Sequence, residues 1–146
     1  AGLDDILNFS KNQPPYLQQL VDHFLPGPLT IILEANDKVP DWVNSGLMTV
    51  GFRMPSHPVT LELIREFGPL IGPSANLSGQ ASGVSFYKLL QDFDQEVLGI
   101  EDDAFLTGQD STILDLTACK ARILRQGSIS REDILAKIPE IPFEEV

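Results

Sequence analysis

The sequence is poor in the features that mark several large classes of protein. Its single cysteine, Cys119, excludes an internal disulfide and any zinc-finger spacing, and we predict a buried structural thiol there. No apolar run approaches the about 18 residues that a transmembrane helix needs, so the sequence predicts no membrane span. No basic stretch precedes an apolar one near Ala1, so it predicts no signal peptide either. We expect a protein of the reducing cytoplasm.

Basic residues are also scarce. The chain has 10 Lys and Arg against 21 Asp and Glu, a formal net charge of −11. A general nucleic-acid-binding protein needs a basic surface, so the charge counts against that class. The acids are unevenly placed, with none at residues 42–61, 67–91 or 116–131. Either these segments keep a cleft clear for a polyanion, or they are simply loops rich in Gly, Pro and Ser, and charge alone does not decide.

The 146 residues, 42% of them hydrophobic, fit one globular domain with a real core. Hydrophobic periodicity predicts helices at residues 3–9, 15–25, 58–67 and about 84–92. A last helix should follow Ser130, with Asp133 completing a capping box. Strands are predicted at residues 29–34, 48–54, 70–71, 112–116 and 121–125. This alternation predicts an α/β fold, a twisted mixed β-sheet with flanking helices.

The most informative stretch is a turn-rich loop with the sequence GPSANLSG at residues 72–79, which Ser82 and Gly83 extend. It follows the predicted strand 70–71, and α/β folds place ligands beyond strand ends. Its small residues would let backbone N–H groups and hydroxyls approach an anion. Alternatively, the Ser and Asn side chains bond only to their own backbone in a structural turn.

A serine hydrolase is a second interpretation of the same loop. Ser74 lies in a Gly-x-Ser-x-Asn sequence that resembles a nucleophile elbow. Such a serine needs a histidine base, and the chain offers only His23 and His57. His23 lies on the amphipathic helix 15–25, and His57 lies in a Ser-His-Pro turn. We therefore disfavour this interpretation and predict no catalytic nucleophile.

Two arginines end predicted strands in acid-free segments. Arg53 precedes Pro55, and Arg125 precedes Gly127. A guanidinium there can hold a carboxylate or phosphate with two hydrogen bonds, or it can pair with a nearby acid. Ser111, at the start of a strand, could orient a polar substrate or have no such role. No cluster of His, Cys and carboxylates has metal-ligand spacing, so any Mg²⁺ would arrive with nucleotide phosphates.

Together these segments resemble the threonylcarbamoyl-AMP synthase (YrdC-like) family. The matching sequences, in the family's order, are PGPLT at 26–30, VGFRMPSHP at 50–58, PSANLSG at 73–79, STILD at 111–115 and ILRQG at 123–127. The resemblance implies a YrdC/RibB-like fold over residues 1–146. It also implies a nucleotidyltransferase that makes threonylcarbamoyl-adenylate and pyrophosphate from L-threonine, bicarbonate and ATP, for N6-threonylcarbamoyladenosine in tRNA.

The resemblance also implies two sets of contacts. ATP would be bound by Thr49, Ser74, Ser82 and Arg125, to which we add Asn76 on physical grounds. L-Threonine would be bound by Arg53, Gly72 and Ser111, with Arg53 holding the carboxylate. Threonine carbamate would attack the α-phosphate, so catalysis would rest on positioning and charge stabilisation.

The sequence departs from the family in lacking its Pro-Thr-Asp-Thr-x-Tyr-Gly-Leu and Lys-x-Arg-Pro motifs. We therefore expect an N-terminally truncated domain with little synthesis by these residues alone. A missing strand would also leave a sheet edge that favours a homodimer or low solubility. Two alternatives are an RNA-binding, translation-associated module and a remnant that keeps the fold without ligands.

Overall fold

The computed structural model describes residues 1–76, 85–93, 97–103 and 109–144. It divides into two compact units, Ala1–Leu70 with Ser111–Val146, and Ile71–Asp110. The described helices are α1 (Leu3–Phe9), α2 (Leu17–Phe24), α3 (Asp41–Asn44), α4 (Pro58–Phe67), α5 (Phe86–Asp92) and α6 (Arg131–Lys137). The strands are β1 (Ser10–Lys11), β2 (Leu29–Ala35), β3 (Thr49–Arg53), β4 (Thr112–Asp115) and β5 (Arg122–Arg125).

The five strands of the first unit form one mixed sheet around β2. Strand β2 pairs antiparallel with β1 and β3 and parallel with β4. Strand β4 also pairs antiparallel with β5, with an irregularity next to Ile113 and Leu114. The predicted mixed α/β sheet is confirmed, because a parallel and several antiparallel pairs meet in one sheet.

One face of the sheet, the core face, holds the hydrophobic core. Alternate residues of β2 are almost fully buried there, Leu29 and Ile31 among them, and Leu114 of β4 lies beside Ile31. Helices α1, α2, α4 and α6 contribute apolar residues to the same cluster: Ile6, Leu17, Leu20, Val21, Leu61 and Ile134. Within this unit these four helices therefore cover one face of the sheet.

The opposite face, which we call the open face, carries the other residues of each strand. On β2 these are Thr30, Ile32 and Glu34, all half-buried. Register places Arg53 and Gly51 of β3 beside them, and Ile113 of β4 on the other side. Strand residues alternate between the faces, so a one-residue shift would exchange the two sets.

Local signals account for the helix boundaries. Ser130 and Asp133 form the predicted capping box at α6, with the Ser130 hydroxyl accepting from the Asp133 N–H at 3.0 Å. Hydrogen bonds from the backbone and side chain of Ser130 lower the pKa of the Asp133 carboxyl. Helix α4 begins at Pro58, which fits the first turn because proline has no N–H to leave unpaired.

The second unit contains α5. Ser85 caps this helix with its side chain. Both carboxylate oxygens of Asp103 accept from the Phe86 N–H at 3.1 Å. An ideal Cβ on Gly99 would lie 2.3 Å from the Phe86 ring, so only glycine fits against that ring without a shift. These contacts tie the segment 97–103 to the start of α5.

Several sequence expectations are corrected. Leu70 and Ile71 form no strand and are more than half exposed. The reason is that Pro69 and Pro73 flank them and cannot donate to a ladder. Cys119 is exposed rather than buried, because it lies in the short connection from β4 to β5. The sequence analysis also missed the short elements β1 and α3. None of the helices in the described residues is long and apolar enough to span a bilayer.

Candidate functional site

The candidate site is a row of four residues across the open face. Register pairs Arg53 with Thr30, Thr30 with Ile113, and Ile113 with Arg125. Neighbouring strands lie about 4.8 Å apart, so the Cα atoms of Arg53 and Arg125 are about 14 Å apart. Residues in register share a face. The fold thus brings two arginines that are 72 residues apart in the sequence to one end of one face.

Ser111 anchors one end of this row. Its carbonyl accepts from Nε of Arg125 at 3.1 Å and from the Arg125 terminal nitrogen at 2.9 Å. Its hydroxyl lies 3.2 Å from that same nitrogen and 3.0 Å from Oγ1 of Thr30. Ser111 is buried, with 5% of its surface exposed. The guanidinium plane of Arg125 is therefore fixed against a rigid part of the sheet.

Arg53 ends β3 at the other end of the row. Its side chain makes no hydrogen bond or ion pair within the described residues, and it is exposed. A cavity of about 110 Å³ lies beside it. The cavity is lined by residues 51–53 of β3 and the following Met54, together with Ala1, Gly2, Asp5, Ile6, Phe9, Ile64, Pro69 and Leu70. Within the described residues the Arg53 guanidinium therefore has no anionic partner, whereas Arg125 already bonds Ser111.

Backbone hydrogen bonds draw the strand ends of this row together. Gly27 donates to the carbonyl of Met54 at 2.9 Å, and Thr112 donates to the carbonyl of Pro28 at 2.9 Å. A Cβ on Gly27 would lie 2.4 Å from the carbonyl oxygen of Phe24. Glycine is therefore required where the chain passes from α2 into β2.

Thr112 joins the start of β4 to the loop after Arg125. Its fully buried hydroxyl donates to the Ile129 carbonyl at 2.6 Å and accepts from the N–H groups of Gly127 and Ile129 at 3.0 and 3.1 Å. Four segments that are distant in sequence, around residues 27, 53, 112 and 127, thus meet at one end of the sheet.

The other end of the open face is acidic. The Asp115 carboxylate accepts from the Arg122 guanidinium at 3.0 Å and from the Thr117 backbone and hydroxyl at 3.0 and 2.7 Å. Burial raises the pKa of this carboxyl, but the hydrogen bonds from Thr117 and the charge of Arg122 outweigh it, so the pKa lies below 3.8. Glu34 also lies at this end. An anion is therefore favoured at the arginine end.

Thr49 lies on the open face but away from the arginines. It begins β3 opposite Glu34, and its carbonyl accepts from the Asn44 side chain at 3.1 Å. At about 3.3 Å per residue, Thr49 and Arg53 are about 13 Å apart along the strand. Their side chains could contact one ligand only if it extended along the strand.

The remaining predicted contacts lie in or near the second unit. Gly72 and Ser74 are exposed and Asn76 is half-buried, in a segment with neither helix nor strand. Ser82 lies outside the described residues. The described residues also contain no group of three or more His, Cys, Asp or Glu able to hold a metal ion.

Comparison with known proteins identifies the family. A family model for Sua5, YciO and YrdC proteins, described as "Telomere recombination", matches residues 1–127. The chain belongs to the Sua5/YciO/YrdC family.

Members of this family with assigned names resemble the chain over nearly its whole length. Threonylcarbamoyl-AMP synthase of Pyrococcus abyssi is 36% identical over 143 residues, 97% of this chain and 42% of that protein. The Bacillus subtilis protein of the same name is 38% identical over 144 residues, again 97% and 42%. The crystal structure of P. abyssi Sua5 complexed with L-threonine matches with a TM-score of 0.86 and 34% identity, over 99% of this chain and 43% of that one.

The chain therefore spans less than half the length of these relatives. The family assignment and the mixed α/β fold predicted from the sequence are both confirmed. The sequence analysis did not select Thr30, the residue at the centre of this candidate row. It lies at the centre of the row, bonded to Ser111 and paired with Arg53. A signal was present, because a threonine interrupts the apolar run of β2 at a position that alternation places opposite the core.

Proposed function

We propose that this chain forms the L-threonine- and ATP-binding part of an L-threonylcarbamoyladenylate synthase. The reaction condenses L-threonine and bicarbonate to a carbamate with loss of water. A carbamate oxygen then attacks the α-phosphate of ATP and displaces pyrophosphate. The product supplies the threonylcarbamoyl group for N6-threonylcarbamoyladenosine in tRNA. The names of the relatives and the threonine complex of the P. abyssi protein support this assignment.

The observation that carries the proposal is the row Arg53–Thr30–Ile113–Arg125 on the open face. ATP is a polyanion and L-threonine carries a carboxylate, whereas this chain has a net charge of −11. An acidic protein binds such ligands best where its cations are gathered. The arginine end gathers two arginines, and Asp115 is paired with Arg122 at the opposite end of the face, although Asp5 lines the cavity beside Arg53.

We assign the threonine carboxylate to Arg53, whose guanidinium has no partner among the described residues and can form two parallel hydrogen bonds. Ser111 and Gly72 complete the threonine contacts. Arg125 contacts ATP, held in place by Ser111. Thr49, Ser74, Asn76 and Ser82 are the further proposed ATP contacts. Mg²⁺ enters with the phosphates of the nucleotide.

In this mechanism no side chain becomes covalently bonded to a substrate. The two arginines hold the reacting groups together and offset negative charge that develops as pyrophosphate leaves. Hydroxyls and N–H groups orient the carbamate and the α-phosphate. The residues on the open face suit this role, because they are donors on rigid strands rather than nucleophiles with a neighbouring base.

Binding of L-threonine with and without ATP and Mg²⁺, measured by calorimetry, tests the proposal. We expect Arg53→Gln to weaken threonine binding by about tenfold or more, because a charged, bidentate contact is lost. The matched control is Arg65→Gln on α4, where the arginine pairs with exposed Glu62. This control should bind threonine as the parent does.

Two results would contradict the proposal. One is equal threonine affinity in the parent and Arg53→Gln. The other is the absence of pyrophosphate release that requires both L-threonine and bicarbonate, in a longer protein containing these residues. The 146 residues alone should release pyrophosphate more slowly than such a protein, because they lack the Lys-x-Arg-Pro motif.

A further inference from the structure

Thr30 occupies the middle of the open face without any role assigned so far. It lies on the central strand, between Arg53 on β3 and Ile113 on β4. Its hydroxyl points towards β4, since Oγ1 lies 3.0 Å from Oγ of Ser111. Its methyl points the other way, because a Cβ built on Gly51 of β3 would lie 3.4 Å from Thr30 Cγ2. The two neighbouring strands thus fix its rotamer.

The hydroxyl of Ser111 joins Thr30 to Arg125. A guanidinium has only donors, so Ser111 Oγ accepts from the Arg125 terminal nitrogen at 3.2 Å. The same oxygen also forms a hydrogen bond with Oγ1 of Thr30, in which either hydroxyl can be the donor. Without Thr30, the Ser111 hydroxyl would be free to rotate, and one of the groups that hold the Arg125 guanidinium would lose its orientation.

We infer that Thr30 is a positioning residue that acts through Ser111 to hold Arg125 for its anionic ligand. This inference rests on the proposed function for the roles of Ser111 and Arg125. It adds that threonine and nucleotide binding share one hydroxyl on the central strand. Loss of that hydroxyl should therefore weaken both ligands, whereas loss of Arg53 should weaken threonine most.

Two substitutions separate positioning from packing. Thr30→Val keeps the shape and the β-branch but removes the hydroxyl, while Thr30→Ser keeps the hydroxyl and removes the methyl. We expect Thr30→Val to raise the KM for both L-threonine and ATP about three- to tenfold, the usual effect of one lost hydrogen bond, in a longer protein containing these residues. Thr30→Ser should stay within about twofold of the parent.

Thermal stability should follow the opposite order. Thr30→Val should keep its Tm within about 2 °C, since valine suits a strand and fills the same volume. Thr30→Ser should lower the Tm, because it loses the methyl against Gly51. Thr117→Val is the matched control, because it also removes a threonine hydroxyl, the one that donates a hydrogen bond to the Asp115 carboxylate. It should leave both KM values unchanged. The inference fails if Thr30→Val binds both substrates as the parent does, or if Thr30→Ser is equally impaired.

An observation that needs no activity completes the test. In an arginine-selective NMR spectrum at low temperature, the terminal N–H groups of Arg125, one of which donates to the Ser111 hydroxyl, are identified by their loss in Arg125→Lys. Their hydrogen exchange should accelerate about tenfold or more in Thr30→Val and stay near the parent rate in Thr30→Ser. An unchanged rate in Thr30→Val overturns the inference, even where the parent binds substrates. Conversely, an accelerated rate in a protein that binds neither substrate supports the positioning and refutes the proposed function.

Discussion

The two faces of the sheet are built from the same strands and differ in almost every other respect. On the core face, Leu29, Ile31 and Leu114 are fully buried in contact with helices. On the open face, Thr30 and Ile32 are half-buried and Arg53 is exposed. Because alternation assigns each residue to one face, a strand of seven residues can serve stability and ligand binding together.

The comparison shows that packing on the core face holds the residues of the candidate site in place. Arg53 and Arg125 end strands whose core-face residues lock the register. Thr112 is the exception, a polar residue in the core layer, and its three hydrogen bonds hold the loop after Arg125. Changes on the core face should therefore alter stability, and changes on the open face should alter binding.

The largest expected effect is on the core face. Leu114→Ala should lower the free energy of unfolding by about 2–5 kcal/mol, because a fully buried leucine leaves a cavity. Urea unfolding measures this. The control is Leu124→Ala on β5, whose residue is 50% exposed and should cost less than about 1 kcal/mol. Equal losses would contradict the division into two faces.

Thr112→Val should have the next largest effect. It preserves the volume but leaves the N–H groups of Gly127 and Ile129 without their shared acceptor, at a cost of about 2–3 kcal/mol. Thr112→Ser keeps the hydroxyl and should recover most of that loss. If the Thr112→Val variant proved as stable as the parent in urea unfolding, the Thr112 hydroxyl would not be holding the loop after Arg125.

Asp115→Asn should give a smaller, pH-dependent effect of about 1 kcal/mol near neutral pH. The folded pKa of Asp115 lies below its ordinary 3.8, so the ionised form stabilises the fold above about pH 4. That contribution is lost as the pH falls through the folded pKa. The stability difference between the parent and Asp115→Asn should therefore be largest at pH 6 and shrink towards pH 3.

Glu62→Gln is the control for this titration, because Glu62 forms an exposed pair with Arg65. Its difference from the parent should be small and nearly constant over the same pH range. A difference for Asp115→Asn that grew as the pH fell would mean that the carboxyl is stabilised in its protonated form, contrary to its contacts.

Arg53→Gln should have the smallest effect on stability, within about 0.5 kcal/mol, because an exposed side chain without an ion pair in the described residues contributes little. Its large effect is expected in threonine binding. A substantial loss of stability would show that Arg53 belongs to the framework of the sheet, and would weaken its assignment as a ligand contact.

The sequence predicted the elements that local chemistry controls. Pro58 and the pair Ser130 and Asp133 set the starts of α4 and α6, and both were placed correctly. The apolar character of Leu70 and Ile71 led to the wrong prediction of a strand, since the neighbouring prolines cannot donate the hydrogen bonds of strand pairing. The prediction that Cys119 is buried was also wrong, because residue type alone says little about the burial of a position in a short connection between strands.

The candidate site was predicted only in part. Arg53, Ser111 and Arg125 were selected as strand ends; the structure places the two arginines in one row and bonds Ser111 to Arg125. Thr30 was missed because its role depends on the register of three strands. The contacts proposed for Gly72, Ser74, Asn76 and Ser82 stay predictions.

By itself, the amino-acid sequence determined the family, the alternation of helices and strands, and the identity of the donors, because motifs and periodicity are local properties. Only the tertiary structure decided which donors share a surface. Strand pairing joins residues 30, 53, 111 and 125, and the register that joins them is fixed by burial of the core face, a property of the whole sheet rather than of any segment.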